Sequence, residues 1–122
     1  MNYRLEFELA GLPKMTNPSG SRSTHWRVVK KERDEWIYRV FLATLGKRPD
    51  IPLPTAKLTL IRYSSVSPDP DGLVSGFKAI VDGLVKAGIL DNDRFKNIGM
   101  PNYTWEKAGR GEGKVKVIVE SY

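Results

Sequence analysis

The 122-residue sequence predicts an α/β fold of the α+β type, a single domain over residues 1–122 in which two main helices pack on one mixed β-sheet of about four strands. Three observations lead to this prediction. Short segments near both ends alternate apolar and polar residues or are rich in β-branched residues, as strands are. Two longer segments repeat apolar residues at helical spacing. Stretches rich in Gly, Pro, Ser and Asn separate these segments, and no segment repeats.

A strand, a loop and a helix are predicted for the first 46 residues. Residues 3–9 alternate apolar and charged side chains, which is the pattern of a half-buried strand. Residues 11–21 are rich in Gly, Pro, Ser and Asn and predict a loop. Residues 24–45 place apolar side chains at spacings of one, three and four, and Gly46 supplies a stop for the resulting helix. The same helix is strongly basic, which makes it amphipathic.

The remainder of the chain predicts three strands and a second helix. Residues 57–63 are expected to form a strand, and residues 70–86 a helix that begins after a Pro-rich turn. Residues 103–107 and 115–119 predict two further strands. The glycine-rich turn at 109–113 is expected to join these last two strands as a hairpin.

One sector of the second predicted helix consists of small residues. Its core side is apolar, and the sector beside the core side is formed by Gly72, Gly76, Ala79, Gly83 and Ala87. Each glycine inside a helix costs about 1 kcal/mol relative to alanine, so a close contact with another backbone should compensate. We therefore expect a second helix, from this chain or from a partner chain, to pack against these residues.

Composition excludes several functional classes. The chain has no cysteine and one histidine, His25, so disulfides, thiolate zinc sites and cysteine nucleophiles are excluded, and a His-based triad is not expected. Any bound metal should be held by oxygen. Charged residues interrupt the apolar ones at the start of the sequence, and no apolar run approaches the roughly 20 residues that span a bilayer. We expect a cytoplasmic protein without membrane contact or a small-molecule cofactor.

The net charge of +6 is unevenly distributed. Residues 21–48 contain eight basic and three acidic groups, whereas residues 66–93 contain five acidic and two basic groups. A basic protein with one acidic segment is typical of a phosphate-binding surface around a metal site. The same distribution also fits a basic protein with a solvated acidic loop, so charge alone leaves both interpretations open.

The acidic segment contains a candidate Mg²⁺ site. Asp69 and Asp71 flank the start of the second predicted helix, where they could also act only as a helix cap and a first-turn carboxylate. That structural role does not account for the second acidic pair, Asp91 and Asp93, after the helix. Mg²⁺ prefers carboxylate oxygens and keeps water for a substrate phosphate, so Asp69, Asp71 and Asp93 are the candidate ligands. Lys78, about 10 Å further along the same predicted helix face than Asp71, could stabilise charge on a phosphoryl group.

Three neighbouring motifs resemble one enzyme family. They are Pro68-Asp69-Pro70-Asp71-Gly72-Leu73, Phe77-Lys78-Ala79-Ile80-Val81-Asp82-Gly83-Leu84 and Ala87-Gly88-Ile89-Leu90-Asp91-Asn92-Asp93. Together they resemble the signature of the RusA family of Holliday-junction resolvases, which are common on phages and prophages. The order of the other predicted elements also follows that family.

The resemblance implies a homodimeric, Mg²⁺-dependent endonuclease, with Mn²⁺ as a possible substitute, that cuts four-way DNA junctions by symmetric paired nicks in recombination and repair. By position, Asp69, Asp71 and Asp93 correspond to the metal-binding catalytic residues and Lys78 to the catalytic lysine. Asp82 and Asp91 are expected to support these residues without binding the metal. The residues expected to contact DNA phosphates are Lys14, Arg22, Arg27, Lys30, Lys31 and Arg33.

The chain departs from the family pattern at two acidic-site positions. Gly72 stands where the family usually has Asn, and Asn92 stands where it usually has the first Asp of a pair. The loss of a carboxylate at position 92 supports an alternative, a DNA-binding protein that binds junctions without cutting them. A further alternative is a metal-stabilised interaction module of a phage. Cleavage of junctions distinguishes the endonuclease from the DNA-binding protein. Salt-sensitive DNA binding distinguishes both of these from the interaction module.

Overall fold

The computed structural model describes residues 2–14 and 26–122. The strands in this part of the chain are β1 (Arg4–Ala10), β2 (Lys57–Ser64), β3 (Asn102–Lys107) and β4 (Lys114–Glu120). The helices are α1 (Trp26–Ala43), α2 (Pro70–Gly76), α3 (Lys78–Lys86) and α4 (Phe95–Ile98). The predicted strands and the first predicted helix are therefore confirmed, with ends that differ by one or two residues.

The four strands form one mixed sheet in the order β1-β4-β2-β3. Strand β4 is antiparallel to both of its neighbours, with Val117 opposite Phe7 on one side and Leu60 on the other. Strand β3 lies parallel to β2 at the edge, with Tyr103 opposite Leu60. The predicted α+β class with a four-stranded mixed sheet is confirmed. The parallel pair is possible because α2, α3 and α4 form the crossover between β2 and β3.

The predicted hairpin between β3 and β4 is wrong, because β2 lies between these two strands. Burial explains this order. The alternate valines of β4, Val115, Val117 and Val119, are fully buried, so this strand gains most from pairing on both edges. Strand β3 has no fully buried side chain and occupies the edge. The glycine-rich segment forms a turn, closed by the Glu112 N–H donating to the Gly109 carbonyl at 3.0 Å, but its two strands are not paired.

The sheet is covered by helices on one face and carries ion pairs on the other. Inward-facing residues of β1, β2 and β4 form a single core with apolar residues of α1 and α3, including Val40, Ile80 and Leu84. On the open face, Lys116 contacts Glu6 at 2.9 Å. This arrangement brings the loops and helices that carry the acidic segment to the helical side of the sheet.

The single helix predicted over residues 70–86 is wrong, because the chain forms two helices that meet at Phe77. Phe77 is the C-cap residue of α2 and the N-cap residue of α3. Its side chain is buried against Tyr103, with the two ring centroids 6.1 Å apart. Two glycines weaken α2, so burial of Phe77 decides the local conformation. Lys78 therefore begins α3, whereas Asp71 lies in the first turn of α2. Val74, an apolar residue of α2, is 46% exposed.

The expected contact of a second helix with the small residues is confirmed at Gly83, and that helix is α1 of the same chain. The Val40 Cβ lies 3.0 Å, and the Ile37 Cα 3.3 Å, from the position that a Cβ on residue 83 would occupy. Only glycine allows this approach without movement of α1. No helix in the described part of the chain is both long and apolar enough to cross a membrane.

Replacing Gly83 with leucine should therefore destabilise the fold. We expect Gly83→Leu to lower the free energy of unfolding by about 1–3 kcal/mol, because the added side chain forces α1 and α3 apart. Urea denaturation followed by circular dichroism measures this change. Lys86→Leu, at an exposed position of the same helix, should stay within about 0.5 kcal/mol of wild type. Equal stability of Gly83→Leu and wild type would show that the two helices are not closely packed.

Candidate active site

Four charged side chains meet where α1, α3 and the loop after α3 come together. The Lys78 Nζ donates to Asp93 Oδ2 at 3.2 Å and to Asp82 Oδ1 at 3.3 Å. The other oxygen of Asp82, Oδ2, accepts from Arg33 Nη2 at 3.0 Å and from Arg33 Nε at 3.2 Å. We call Arg33, Lys78, Asp82 and Asp93 the charged cluster. It links the basic helix α1 to the acidic segment through one carboxylate.

Local sequence and helix packing both build the charged cluster. Lys78 and Asp82 are four residues apart on α3, so they lie one turn apart on the same side of the helix. Asp82 precedes Gly83, the point of closest approach to α1, and this places it within reach of Arg33. Asp82 is the most buried of the four, with 14% of its side chain exposed.

A short tethered loop brings Asp93 back to the start of α3. Gly88 adopts a φ of 81°, which ends α3 and reverses the chain. The following residues are held by Leu53, whose N–H donates to the Ile89 carbonyl at 2.8 Å and whose carbonyl accepts from the Asp91 N–H at 3.0 Å. The side chain of Asn92 accepts the N–H of Asp93 at 2.7 Å, so this residue shapes the loop.

The charged cluster shifts the pKa of two of its members. The hydrogen bond from Lys78 lowers the pKa of Asp93 below its usual value, which outweighs the opposite effect of partial burial. Burial alone would lower the pKa of Lys78, but its hydrogen bonds to Asp93 and Asp82 hold that pKa above its ordinary value. Both groups are therefore charged at neutral pH, and Lys78 is a fixed cation.

Asp69 and Asp71 lie at the other end of the acidic segment. Asp69 precedes α2 in an extended conformation, and its side chain makes no capping hydrogen bond, although its carbonyl accepts from the Leu73 N–H at 2.8 Å. Asp71 lies in the first turn of α2. Both side chains are exposed, as is that of Asp91, so their oxygens are open to solvent or to a ligand.

The acidic oxygens suit Mg²⁺ chemically but are not gathered into one cage. Among the described residues, no three Asp, Glu or His side chains lie close enough to hold one cation. The structure brings Asp93 to Lys78 and Asp82 and leaves Asp69 and Asp71 exposed at the start of α2. Mg²⁺ in phosphate chemistry usually binds one or two carboxylates together with substrate oxygens and water, and two exposed carboxylates fit that mode. A shared site for Asp69, Asp71 and Asp93 stays a prediction.

A groove of about 500 Å³ opens beside the charged cluster. Its lining combines polar residues, Lys78, Asp93 and Ser75, with apolar and aromatic residues that include Phe95 and Tyr103. Phe95 is 75% exposed, and the sequence analysis did not single it out. The signal was present, since Phe95 stands between two cations in the sequence Arg-Phe-Lys.

The described residues that were predicted to bind DNA fall into two groups. Three have acidic partners: Lys14 contacts Glu32 at 2.9 Å, Lys30 contacts Asp34 at 2.8 Å, and Arg33 contacts Asp82. Lys31 is exposed on α1, and it lines a shallow groove with Arg27 and Lys30. Arg22 lies outside the described residues. Exposed ion pairs contribute little free energy, so Lys14 and Lys30 are available to a phosphate, whereas Arg33 is committed to a mostly buried carboxylate.

No protein-family model and no curated protein matches this chain. The features of the molecule that bear on its function are the charged cluster, the exposed carboxylates, the basic helix and the groove.

Removing the Lys78 cation should raise the pKa of Asp93. In the metal-free protein we expect Lys78→Gln to move this pKa upward, towards the ordinary value of about 3.9. The pKa of Asp93 is lower in the folded state than in the unfolded state. The ion pair with Lys78 therefore stabilises the fold fully above the unfolded-state pKa. This stabilisation is lost as the pH falls through the folded-state pKa. Carboxyl-carbon NMR shifts recorded against pH measure the change, and Lys86→Gln is the control. Identical Asp93 titrations in Lys78→Gln and wild type would contradict the observed ion pair.

Proposed function

We propose that this protein is a Mg²⁺-dependent, structure-selective endodeoxyribonuclease that resolves four-way DNA junctions by symmetric paired nicks. The observation that carries the proposal is the charged cluster, in which Asp82 joins the basic helix α1, through Arg33, to the lysine of the acidic segment. Metal-dependent cleavage of a phosphodiester needs cations that bind the phosphate and carboxylates that bind the metal, close to each other. The meeting point of α1, α3 and the loop after α3 supplies both kinds of side chain. The RusA-like motifs over residues 68–93 support the same function.

The proposed metal ligands are Asp69, Asp71 and Asp93, with Mn²⁺ able to replace Mg²⁺. When bound, the metal supplies activation of water and neutralisation of phosphate charge. Asp69 and Asp71 contribute exposed oxygens from the start of α2. Asp93 contributes from the tethered loop, and its low pKa keeps it ionised, which a metal ligand requires.

Lys78 is the proposed cationic residue of the reaction. Its side chain lines the groove and is 67% exposed, so it can contact a phosphate oxygen while it keeps its carboxylate partners. Charge that develops on the phosphoryl oxygens in the transition state is stabilised by such a fixed cation. Asp82 holds Lys78 and is itself held by Arg33, so these two residues orient the ammonium before substrate binds.

Helix α1 provides the proposed surface for the flanking DNA. Arg27, Lys30 and Lys31 line one shallow groove, and each phosphate that they neutralise releases counterions. Binding should therefore weaken steeply as salt increases. These contacts position the substrate without reading its sequence, which agrees with recognition of a branched shape.

A homodimer completes the proposal, because a junction is resolved by two nicks placed symmetrically. A two-fold axis between subunits would present two identical sites to the junction. The substrate places this activity in the cytoplasm of a bacterium or of a phage-infected cell, in DNA recombination and repair.

Cleavage of a labelled immobile four-way junction tests the function. We expect wild type with Mg²⁺ to produce paired nicks in the junction and none in duplex DNA of the same sequence. Asp71→Asn should reduce the cleavage rate by at least about 100-fold, since metal stabilisation of several kcal/mol is lost and each 1.36 kcal/mol is a factor of ten. Asp50→Asn, which changes an exposed aspartate of the loop before β2, should cut normally.

The alternative function is junction binding without cleavage. It is favoured by Asn92, whose side chain is engaged with the backbone of Asp93 and offers no second carboxylate there. Salt-sensitive junction binding by wild type, with no nicks in Mg²⁺ or Mn²⁺, would establish this alternative. Absence of any DNA binding would contradict both functions.

A further inference from the structure

We propose that the groove beside Lys78 binds an unpaired nucleobase of the DNA strand, stacked on Phe95, with Arg94 and Lys96 contacting the backbone phosphates on either side. This proposal rests on the proposed function, since it takes DNA to be the ligand. It adds a base-binding subsite to a surface that otherwise contacts only phosphates.

The first argument is the exposure of apolar side chains around this groove. Phe95 is 75% exposed and Val74 46%, and both line the groove. Met100, which is 78% exposed, stands between Gly99 and Pro101, two further residues of the lining. A flat aromatic ring that is open to solvent beside a groove offers a stacking surface to any base, because every base has a π face.

The second argument is charge. Arg94 and Lys96 flank Phe95 in the sequence and are exposed, and neither makes an ion pair with the described part of the chain. Lys78 adds a cation to the lining of the groove. Cations that alternate with an exposed aromatic residue are typical of surfaces that bind single-stranded nucleic acid, where the cations follow the backbone and the ring receives a base. This charge favours DNA over an apolar segment of a protein partner.

The backbone that carries Phe95 is anchored to the rest of the fold. Asn97, two residues later, is buried; its side chain donates to the Pro54 carbonyl at 2.9 Å, and its carbonyl accepts from the Ala56 N–H at 3.0 Å. The Gly99 N–H donates to the Phe95 carbonyl at 2.7 Å, which closes the turn. Because the turn is already ordered, base binding at Phe95 does not have to order the backbone.

The other lining residues complete the subsite. Tyr103 is half-buried and packs on Phe77, so it supplies an apolar part of the lining. Ser75 and Asp93 also line the groove, where they can exchange hydrogen bonds with the edge of a base. The subsite adjoins Lys78, so a base bound there would hold the neighbouring phosphate near the proposed reaction centre.

Binding of a fluorescein-labelled oligothymidylate in EDTA tests the proposal without metal or cleavage. We expect Phe95→Ala to weaken binding by about 5- to 160-fold, the range for loss of one base–aromatic stack, and Phe95→Trp to bind at least as tightly as wild type. Tyr122→Ala removes another aromatic residue that is 77% exposed, and it should leave binding unchanged. With an oligonucleotide of abasic sugars, wild type and Phe95→Ala should differ by less than about twofold.

Each other result overturns the proposal. Equal oligothymidylate affinity of Phe95→Ala and wild type would show that the ring receives no base. An equal loss with the abasic ligand would show that Phe95 acts on the backbone. A fall in the sedimentation mass of Phe95→Ala would assign the ring to a contact between copies of the chain. Junction cleavage by wild type together with any of these results leaves the proposed function intact, whereas failure of wild type to bind any DNA removes both.

Discussion

The close packing of α1 on α3 at Gly83 is the constraint on which the rest of the site depends. A side chain at position 83 would meet Val40 and Ile37, so glycine is what lets the two helices approach. That approach brings Arg33 to Asp82, the residue before Gly83, and Asp82 in turn holds Lys78. A packing contact in the core therefore sets the position of a surface cation.

The electrostatic design follows from this placement. The charged cluster pairs two cations with two carboxylates, because Lys78 is shared between Asp82 and Asp93 and Arg33 binds the second oxygen of Asp82. The hydrogen bond from Lys78 lowers the pKa of Asp93, and the hydrogen bonds to Asp93 and Asp82 raise the pKa of Lys78, so both groups are charged at neutral pH. The result is a rigid charged group at the boundary between a basic helix and an acidic segment, which suits the binding of a phosphate with its metal.

The parts of the molecule that could be predicted from sequence are those determined by local patterns. The alternation of β1 is local, and the strand it predicts is present. The pairing of β3 with β2 and the interruption at Phe77 depend on which residues are buried by distant parts of the chain, so local signals misled there. The Arg33–Asp82 contact spans 49 residues and exists only because two helices pack. Phe95 is an intermediate case. Its flanking cations can be read from the sequence, but its exposure is known only from the structure.

The central claim is that Asp69, Asp71 and Asp93 bind one divalent cation beside Lys78. Titration of the ¹⁵N-labelled protein with Mn²⁺, whose unpaired electrons broaden nearby NMR signals, tests this claim most directly. We predict that the amide signals of Asp69, Asp71 and residues 91–93 broaden first and together, at Mn²⁺ concentrations far below that of the protein, and that excess Mg²⁺ restores them. Broadening confined to the carboxylates of the open sheet face, or spread evenly over the chain, would contradict the account.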